Sequence, residues 1–185
     1  MIQLLRPLLR VLLSFTLIFV LGACSSSPSA GLEPFQSTDG RYGFLYPTGW
    51  TRVSVNNGPA VVFHDLINSD ETLSLVVSRL ENDIELENLG TPREVGDRLI
   101  NQLISPEDET RIIELIQSDQ REVSENVFYD LEYKINYPNR TRHELATVVV
   151  DRGTLYTFAA GTDDSRWPKV SGLLERVVDS FTLLT

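Results

Sequence analysis

Apolar and polar residues alternate along several stretches of the chain with the two-residue period of a β-strand. From residue 127 to residue 136 the odd positions are apolar or aromatic, and the even positions from Asp130 onward are polar. This pattern predicts a strand that buries one face and exposes the other. Residues 145–150 are mostly apolar on both faces, which predicts a central strand covered on both sides. The predicted strands are 42–46, 50–55, 60–64, 73–80, 112–122, 127–136, 142–151 and 155–160.

Two other segments repeat apolar residues at helical spacing. Thr91, Pro92 and Glu94 combine an N-cap, a first-turn proline and a capping box, so one helix is predicted to begin at this point. A second helix is predicted over about residues 166–181, and Trp167 on its apolar face is expected to be largely buried. Because short turns join successive strands, the strands are expected to pair antiparallel. The predicted fold class is α+β, with an antiparallel β-sheet flanked by helices on both faces.

The N-terminal segment has a different pattern. A short basic head precedes an apolar run at residues 11–21, and Gly-Ala-Cys follows, which resembles the bacterial lipobox. We interpret residues 1–23 as a lipoprotein signal peptide and Cys24 as the residue that receives the lipid. Residues 24–34 are then a lipidated, Ser-rich linker, and residues 35–185 form one domain.

Two alternatives to lipidation are a buried cysteine and a single membrane-spanning helix. Both are less favoured, because Cys24 precedes a Ser/Pro/Gly tract and the apolar run is shorter than the roughly 20 residues that a spanning helix needs.

The net charge of the chain limits the classes of macromolecule that it is expected to bind. The chain has 16 basic and 26 acidic residues and a net charge of −10. The predicted signal peptide carries two arginines and no acid, so its removal leaves −12. This surface argues against nucleic-acid binding and favours basic protein surfaces as partners. With its single cysteine acylated, the chain has no thiol for a disulfide or for nucleophilic catalysis.

Candidate chemistry is sparse, because the chain lacks the common hydrolase, phosphate-binding, zinc-protease and EF-hand motifs. His64 stands beside Asp65, and His143 stands beside Glu144. These four residues are candidates for a weak divalent-metal site that would take zinc, manganese or calcium. The alternative is two surface histidines among many acids, because neighbouring residues of a strand point to opposite faces. No catalytic metal is expected, since no three-ligand constellation is visible.

Two groups of acids have an ordinary and a functional interpretation. Asp163 and Asp164 precede the second predicted helix, where acids interact favourably with the helix dipole, and calcium binding is the alternative. Residues 81–90 are predicted to be loop. The run Glu81, Asp83, Glu85, Glu87 within them is interpreted as a solvated loop or edge, with a cation-binding or partner-docking strip as the alternative.

Several short motifs resemble one known family. Residues 43–50 read Gly-Phe-Leu-Tyr-Pro-Thr-Gly-Trp, and residues 153–158 read Gly-Thr-Leu-Tyr-Thr-Phe. Arg166-Trp167 follows, and residues 177–181 read Val-Val-Asp-Ser-Phe. This set resembles the PsbP domain, and together with the lipobox it resembles the cyanobacterial lipoprotein members of the PsbP family. The resemblance covers nearly all of the chain after the linker and implies the PsbP α/β/α sandwich.

The resemblance also implies a function. It suggests a monomeric, non-catalytic binding protein at the lumenal face of the thylakoid membrane, anchored by the acyl chains on Cys24. The implied partners are photosystem II core subunits on the lumenal side. Plant members help to retain calcium and chloride at the oxygen-evolving complex, partly through an extended N-terminal segment. This chain has a lipid anchor and linker there, so a role in assembly or stabilisation is favoured over ion retention.

Two other hypotheses stay open at this stage. One is a generic lipoprotein chaperone or carrier of another membrane complex on the same fold. The other is a metal-dependent hydrolase, which would need a convergent site that the sequence does not display.

Overall fold

The computed structural model describes residues 31–103 and 111–184, and the strands in these ranges form two antiparallel sheets. The smaller sheet has the order β1-β2-β10, with β1 at Leu32–Gln36, β2 at Tyr42–Pro47 and β10 at Thr182–Leu183. The larger sheet has the order β3-β4-β5-β9-β8-β7-β6. Its strands are β3 (Thr51–Val53), β4 (Val61–His64), β5 (Thr72–Arg79), β6 (Ile112–Val123), β7 (Asn126–Tyr137), β8 (Arg140–Asp151) and β9 (Thr154–Asp163).

The helices begin where the sequence predicts. Helix α1 spans Pro92–Leu103, and its capping box is confirmed: the Thr91 amide donates to Glu94 Oε2 at 2.8 Å, and the Glu94 amide donates to Thr91 Oγ1 at 3.3 Å. A short 3₁₀ helix at Leu86–Leu89 lies inside the stretch predicted as loop. Neither α-helix within the described ranges is both long and apolar enough to cross a membrane.

Helix α2 spans Trp167–Asp179 and ends before its predicted limit at residue 181. Ser180 explains the early end, because its hydroxyl donates to the Val177 carbonyl at 2.5 Å and accepts from the Leu45 amide at 2.8 Å. Thr182 then pairs with Gly43 of β2, so the chain leaves the helix to add an edge strand to the smaller sheet.

Two hydrophobic cores cover the two faces of the larger sheet. One lies between this sheet and a layer made of α2 and the smaller sheet, and it includes Phe44, Phe158, Leu174 and Val177. The other lies beneath α1 and the 3₁₀ helix and includes Leu86, Val95, Leu131 and Val148. The predicted antiparallel α+β fold is confirmed. The smaller sheet and α2 pack together on one face of the larger sheet, and α1 packs on the other.

Some features were not predicted. Strands β1 and β10 each lack a recognisable alternation, and β1 begins at Leu32, three residues before the predicted start of the domain. Cys24, the predicted signal peptide and most of the predicted linker lie outside the described residues.

Candidate functional site

The most elaborate polar cluster of the described chain surrounds His143. This residue lies near the start of β8 on the face that carries α2, and it is only 4% exposed. Its ring stacks on Trp167, the first residue of α2, with ring centroids 3.6 Å apart and planes inclined by 12°. Trp167 was expected to be largely buried. It is partly buried, with its ring against His143.

Both nitrogens of the His143 ring face carboxylates. Nε2 lies 2.7 Å from Glu132 Oε1, and Nδ1 lies 3.0 Å from Asp164 Oδ1. The imidazole ring is therefore held between two carboxylates, one at each nitrogen. Because Asp164 lies in the segment just before α2 and Glu132 lies in β7, these contacts clamp α2 to the sheet.

A lysine completes this cluster. Lys134 Nζ lies 3.0 Å from the same Asp164 oxygen that faces His143. The hydrogen bond from Lys134, followed by that from His143, holds the pKa of Asp164 below its ordinary value. Asp164 therefore favours the folded state in its ionised form. Asp163 has a separate role, because it accepts hydrogen bonds from the amide and hydroxyl of Ser165.

Glu144 points to the opposite face of the sheet. Its carboxylate accepts a hydrogen bond from Tyr133 Oη at 2.6 Å and pairs with Arg142. Burial, followed by the charge of Glu144, raises the pKa of Tyr133 well above its ordinary value, so the phenol stays protonated and donates. Gly161 lies opposite Glu144 in the register of β8 and β9. A Cβ at this position would lie 2.4 Å from Glu144 Cγ and 2.6 Å from the His143 carbonyl oxygen, so the close contact requires glycine.

His64 and Asp65 form a separate structure at the end of β4. His64 Nδ1 lies 3.0 Å from the Asp65 carbonyl oxygen. Asp65 Oδ1 accepts from the Ile67 amide at 2.9 Å and from the Asn68 amide at 2.5 Å, so this carboxylate orders the loop that follows. These bonds, the one from Asn68 first, lower the pKa of Asp65.

The four predicted metal candidates are therefore not brought together. His143 and Glu144 lie on opposite faces of β8, while His64 and Asp65 lie at the end of β4, three strands away in the sheet order. Among the described residues, no group of three or more His, Cys, Asp or Glu side chains is arranged to hold a metal ion. A metal at His143 would have to displace Glu132 or Asp164 from a ring nitrogen. Metal binding by these residues stays a prediction.

An acidic cleft adjoins the His143 cluster. It has a volume of about 250 Å³ and lies between α2 and strands β6 to β8. Its acidic lining residues are Asp119, Asp130, Glu132, Glu175 and Asp179. Arg121 pairs with Asp130 at 2.6 Å, and burial raises the pKa of Asp179. The cleft concentrates negative charge on the face that carries α2.

A second cavity lies beneath α1 on the other face. Its volume is about 350 Å³, and its lining is mainly aliphatic, with Tyr133 and Glu144 among its polar residues. This volume is at the lower end of the range for small-molecule pockets.

The sequence pointed to His143 but not to its partners. The predicted hairpin of β7 and β8 could have indicated Glu132. The turn after Tyr137 pairs Lys134 with His143, and Glu132, two residues before Lys134 on the same face of β7, is then a diagonal neighbour of His143. Asp164 and Trp167 belong to the segment that docks α2, and no local pattern places them beside His143.

The comparisons with known proteins agree over nearly the whole described chain. The profile of the PsbP family matches residues 30–183. The protein CyanoP of Synechocystis sp. PCC 6803 is 39% identical over 175 residues, which are 92% of this chain and 93% of that protein. CyanoP of Thermosynechococcus vestitus is 37% identical over 171 residues, covering 90% of this chain and 92% of that protein.

A solved structure has the same fold. The solution structure of cyanobacterial PsbP (CyanoP) from Synechocystis sp. PCC 6803 superposes with a TM-score of 0.73 at 38% sequence identity. The superposition covers 88% of this chain and 98% of the other.

Proposed function

The chain belongs to the PsbP family, and on that premise we propose that it is a non-catalytic binding protein of photosystem II at the lumenal face of the thylakoid membrane. Its role is to assist the assembly or the stabilisation of that complex. The resemblance inferred from short motifs is confirmed, and the family match over residues 30–183 is the observation that carries the proposal.

The contacts made by His143 and His64 support a binding role over a catalytic one. The ring of His143 is stacked on Trp167 and has a carboxylate at each nitrogen. A general base or nucleophile must instead face the space where a substrate would sit. His64 contacts the backbone of its own loop.

The proposal includes a lipid anchor at Cys24. The lipobox supports it, and each buried methylene of an acyl chain adds about 0.8 kcal/mol of membrane affinity. Stable anchoring takes two membrane-binding signals, which three acyl chains would exceed. Attraction between the acidic domain and basic lumenal segments of its partner is screened beyond about 8 Å at physiological ionic strength. The anchor would keep the domain close to these segments.

Co-purification tests the function. The full lipidated chain, carrying an affinity tag after Thr185, is recovered from cyanobacterial thylakoid membranes solubilised in mild detergent. Photosystem II subunits should be enriched, and a deletion strain should recover photosystem II more slowly after photodamage while it retains some oxygen evolution. The proposal fails if no photosystem II subunit is enriched and recovery is unchanged. Enrichment of a different membrane complex would favour the carrier alternative.

A pair of variants tests the anchor. Cys24→Ser should release the protein from salt-washed membranes, because no acyl chain can attach, while Ser27→Ala keeps the cysteine and should stay bound. Association of the Cys24→Ser protein with photosystem II should weaken as salt rises. The lipidated protein should resist salt, since a tether keeps its local concentration high. Equal retention of both variants on washed membranes would exclude lipidation at Cys24 as the anchor.

A further inference from the structure

The described domain begins at Gly31, which lies at one end of the larger sheet. The Gly31 carbonyl accepts a hydrogen bond from the Thr48 amide at 2.9 Å, in the turn between β2 and β3. Thr51 then pairs with His64, so the loop 65–71 between β4 and β5 lies at the same end. The register places the turn between β7 and β8 and the start of β6 there as well. We call this the tether end, because residues 24–30 join it to Cys24.

The most exposed large apolar side chains of the described residues all lie at the tether end. Ile67 is 90% exposed and Leu66 is 67% exposed, both in the loop after β4. Ile112, the first residue of β6, is 69% exposed. The other exposed large apolar side chains in the described ranges have values between 39% and 48%.

The loop presents its two apolar side chains in a defined conformation. Asp65 accepts hydrogen bonds from the amides of Ile67 and Asn68, and the Glu71 amide donates to the Asn68 carbonyl at 2.8 Å. Ile112 stands five strands away from β4, which is about 24 Å at the usual strand spacing. The tether end therefore has two apolar contact points near opposite edges of the sheet.

Charge does not prevent this end from approaching a surface. Two of the three acids in the loop are paired with arginines: Asp70 lies 2.6 Å from Arg140, and Glu71 lies 2.5 Å from Arg166. The third, Asp65, accepts hydrogen bonds from the loop amides. The acidic run at residues 81–87 follows β5 at the opposite end of the sheet. This acidic run is therefore far from the tether.

The length of the tether restricts what the apolar loop can reach. Seven residues, 25–31, follow Cys24 up to the first hydrogen bond of the domain, and such a segment spans at most about 25 Å. A surface held this close is encountered at a high effective concentration, so even a small apolar contact is populated.

We propose that the tether end faces the bilayer in which Cys24 is anchored, and that Leu66 and Ile67 insert at the lipid–water interface with Ile112 as a second contact. This inference rests on the proposed lipid anchor. It assigns the domain one orientation, in which the acidic end points away from the membrane.

A site-specific dye tests the orientation in the full lipidated chain. Because Cys24 is acylated, an introduced cysteine is the only free thiol. Ile67→Cys carries an environment-sensitive dye, and Glu125→Cys, in the exposed turn at the far end of the sheet, is the matched control. The proteins are reconstituted into phosphatidylcholine vesicles, whose net charge is zero. The Ile67 label should shift to shorter wavelength, gain about twofold in intensity and be quenched by spin-labelled lipid, as expected for burial at the interface.

The outcomes separate this inference from the proposed anchor. A chain that does not float with the vesicles contradicts the anchor. A chain that floats, with both labels equally exposed to water, overturns the orientation and leaves the anchor intact. A label at Ile67 that becomes protected only after purified photosystem II is added also overturns membrane insertion and assigns the loop to a protein partner. Ile112→Cys with the same dye repeats the test at the second contact point.

Discussion

Replacing His143 with phenylalanine isolates the polar part of the candidate site. Phenylalanine keeps an aromatic ring of similar size that can stack on Trp167, but it removes both hydrogen bonds to Glu132 and Asp164. The two carboxylates then face an apolar ring. Any loss of stability therefore measures the clamp between α2 and the sheet and not a cavity.

The structure limits the size of this loss. A hydrogen bond to a charged group contributes about 1.5–3 kcal/mol. The Glu132 and Asp164 side chains are 25% and 38% exposed, so water replaces part of what is lost, and Lys134 continues to pair with Asp164. We therefore expect His143→Phe to lower the free energy of unfolding by about 2 kcal/mol, which is within the range for one such bond and below the roughly 3 kcal/mol minimum for two unscreened bonds.

Urea denaturation of the Cys24→Ser protein, followed by circular dichroism, measures this loss. For a slope of about 2 kcal/mol per molar urea, the midpoint should fall by about 1 M with no change in slope. His64→Phe is the matched control, because it removes only a contact with a backbone carbonyl and should cost about 1 kcal/mol or less. If His143→Phe costs less than about 0.5 kcal/mol, or no more than His64→Phe, the clamp does not stabilise the fold as argued.

Other predictions concern the same region. Gly161→Ala should destabilise the domain by about 1–3 kcal/mol in thermal denaturation, because the new Cβ would meet the Glu144 side chain and the His143 carbonyl. Gly172→Ala, in α2 with nothing within 4 Å of the new Cβ, should instead stabilise it by about 0.5–1 kcal/mol, and the reverse order of the two melting temperatures would contradict this reasoning. Hydrogen bonds lower the pKa values of Asp39, Asp65, Glu94, Asp163 and Asp164. Since these groups favour the folded state when ionised, the urea midpoint should be highest above about pH 5 and fall as the pH drops through 4, and a midpoint that is flat or rises towards acid pH would refute the assignment.

Local patterns predicted most of the fold. The capping box placed the start of α1 correctly, because it depends on residues three positions apart. The alternation of residues 127–136 placed β7 and its buried face within one residue, because a single face against a core imposes a two-residue period. Strands β1 and β10 were not predicted, because they are short edge strands whose stability comes from pairing with β2.

The sequence by itself determined the fold class, the start of α1 and the resemblance to the PsbP family, since each depends on neighbouring residues or on short motifs. The tertiary structure decided what the candidate residues do. His143 meets Glu132 and Asp164, which are 11 and 21 positions away, only after β7 pairs in register and α2 docks on the sheet. The exposure of Leu66 and Ile67, at the end of the sheet where the domain begins, was likewise invisible in the sequence. An apolar residue in a loop has no periodicity to mark its surroundings, so its place at the tether end emerges only when β2, β3 and β4 assemble.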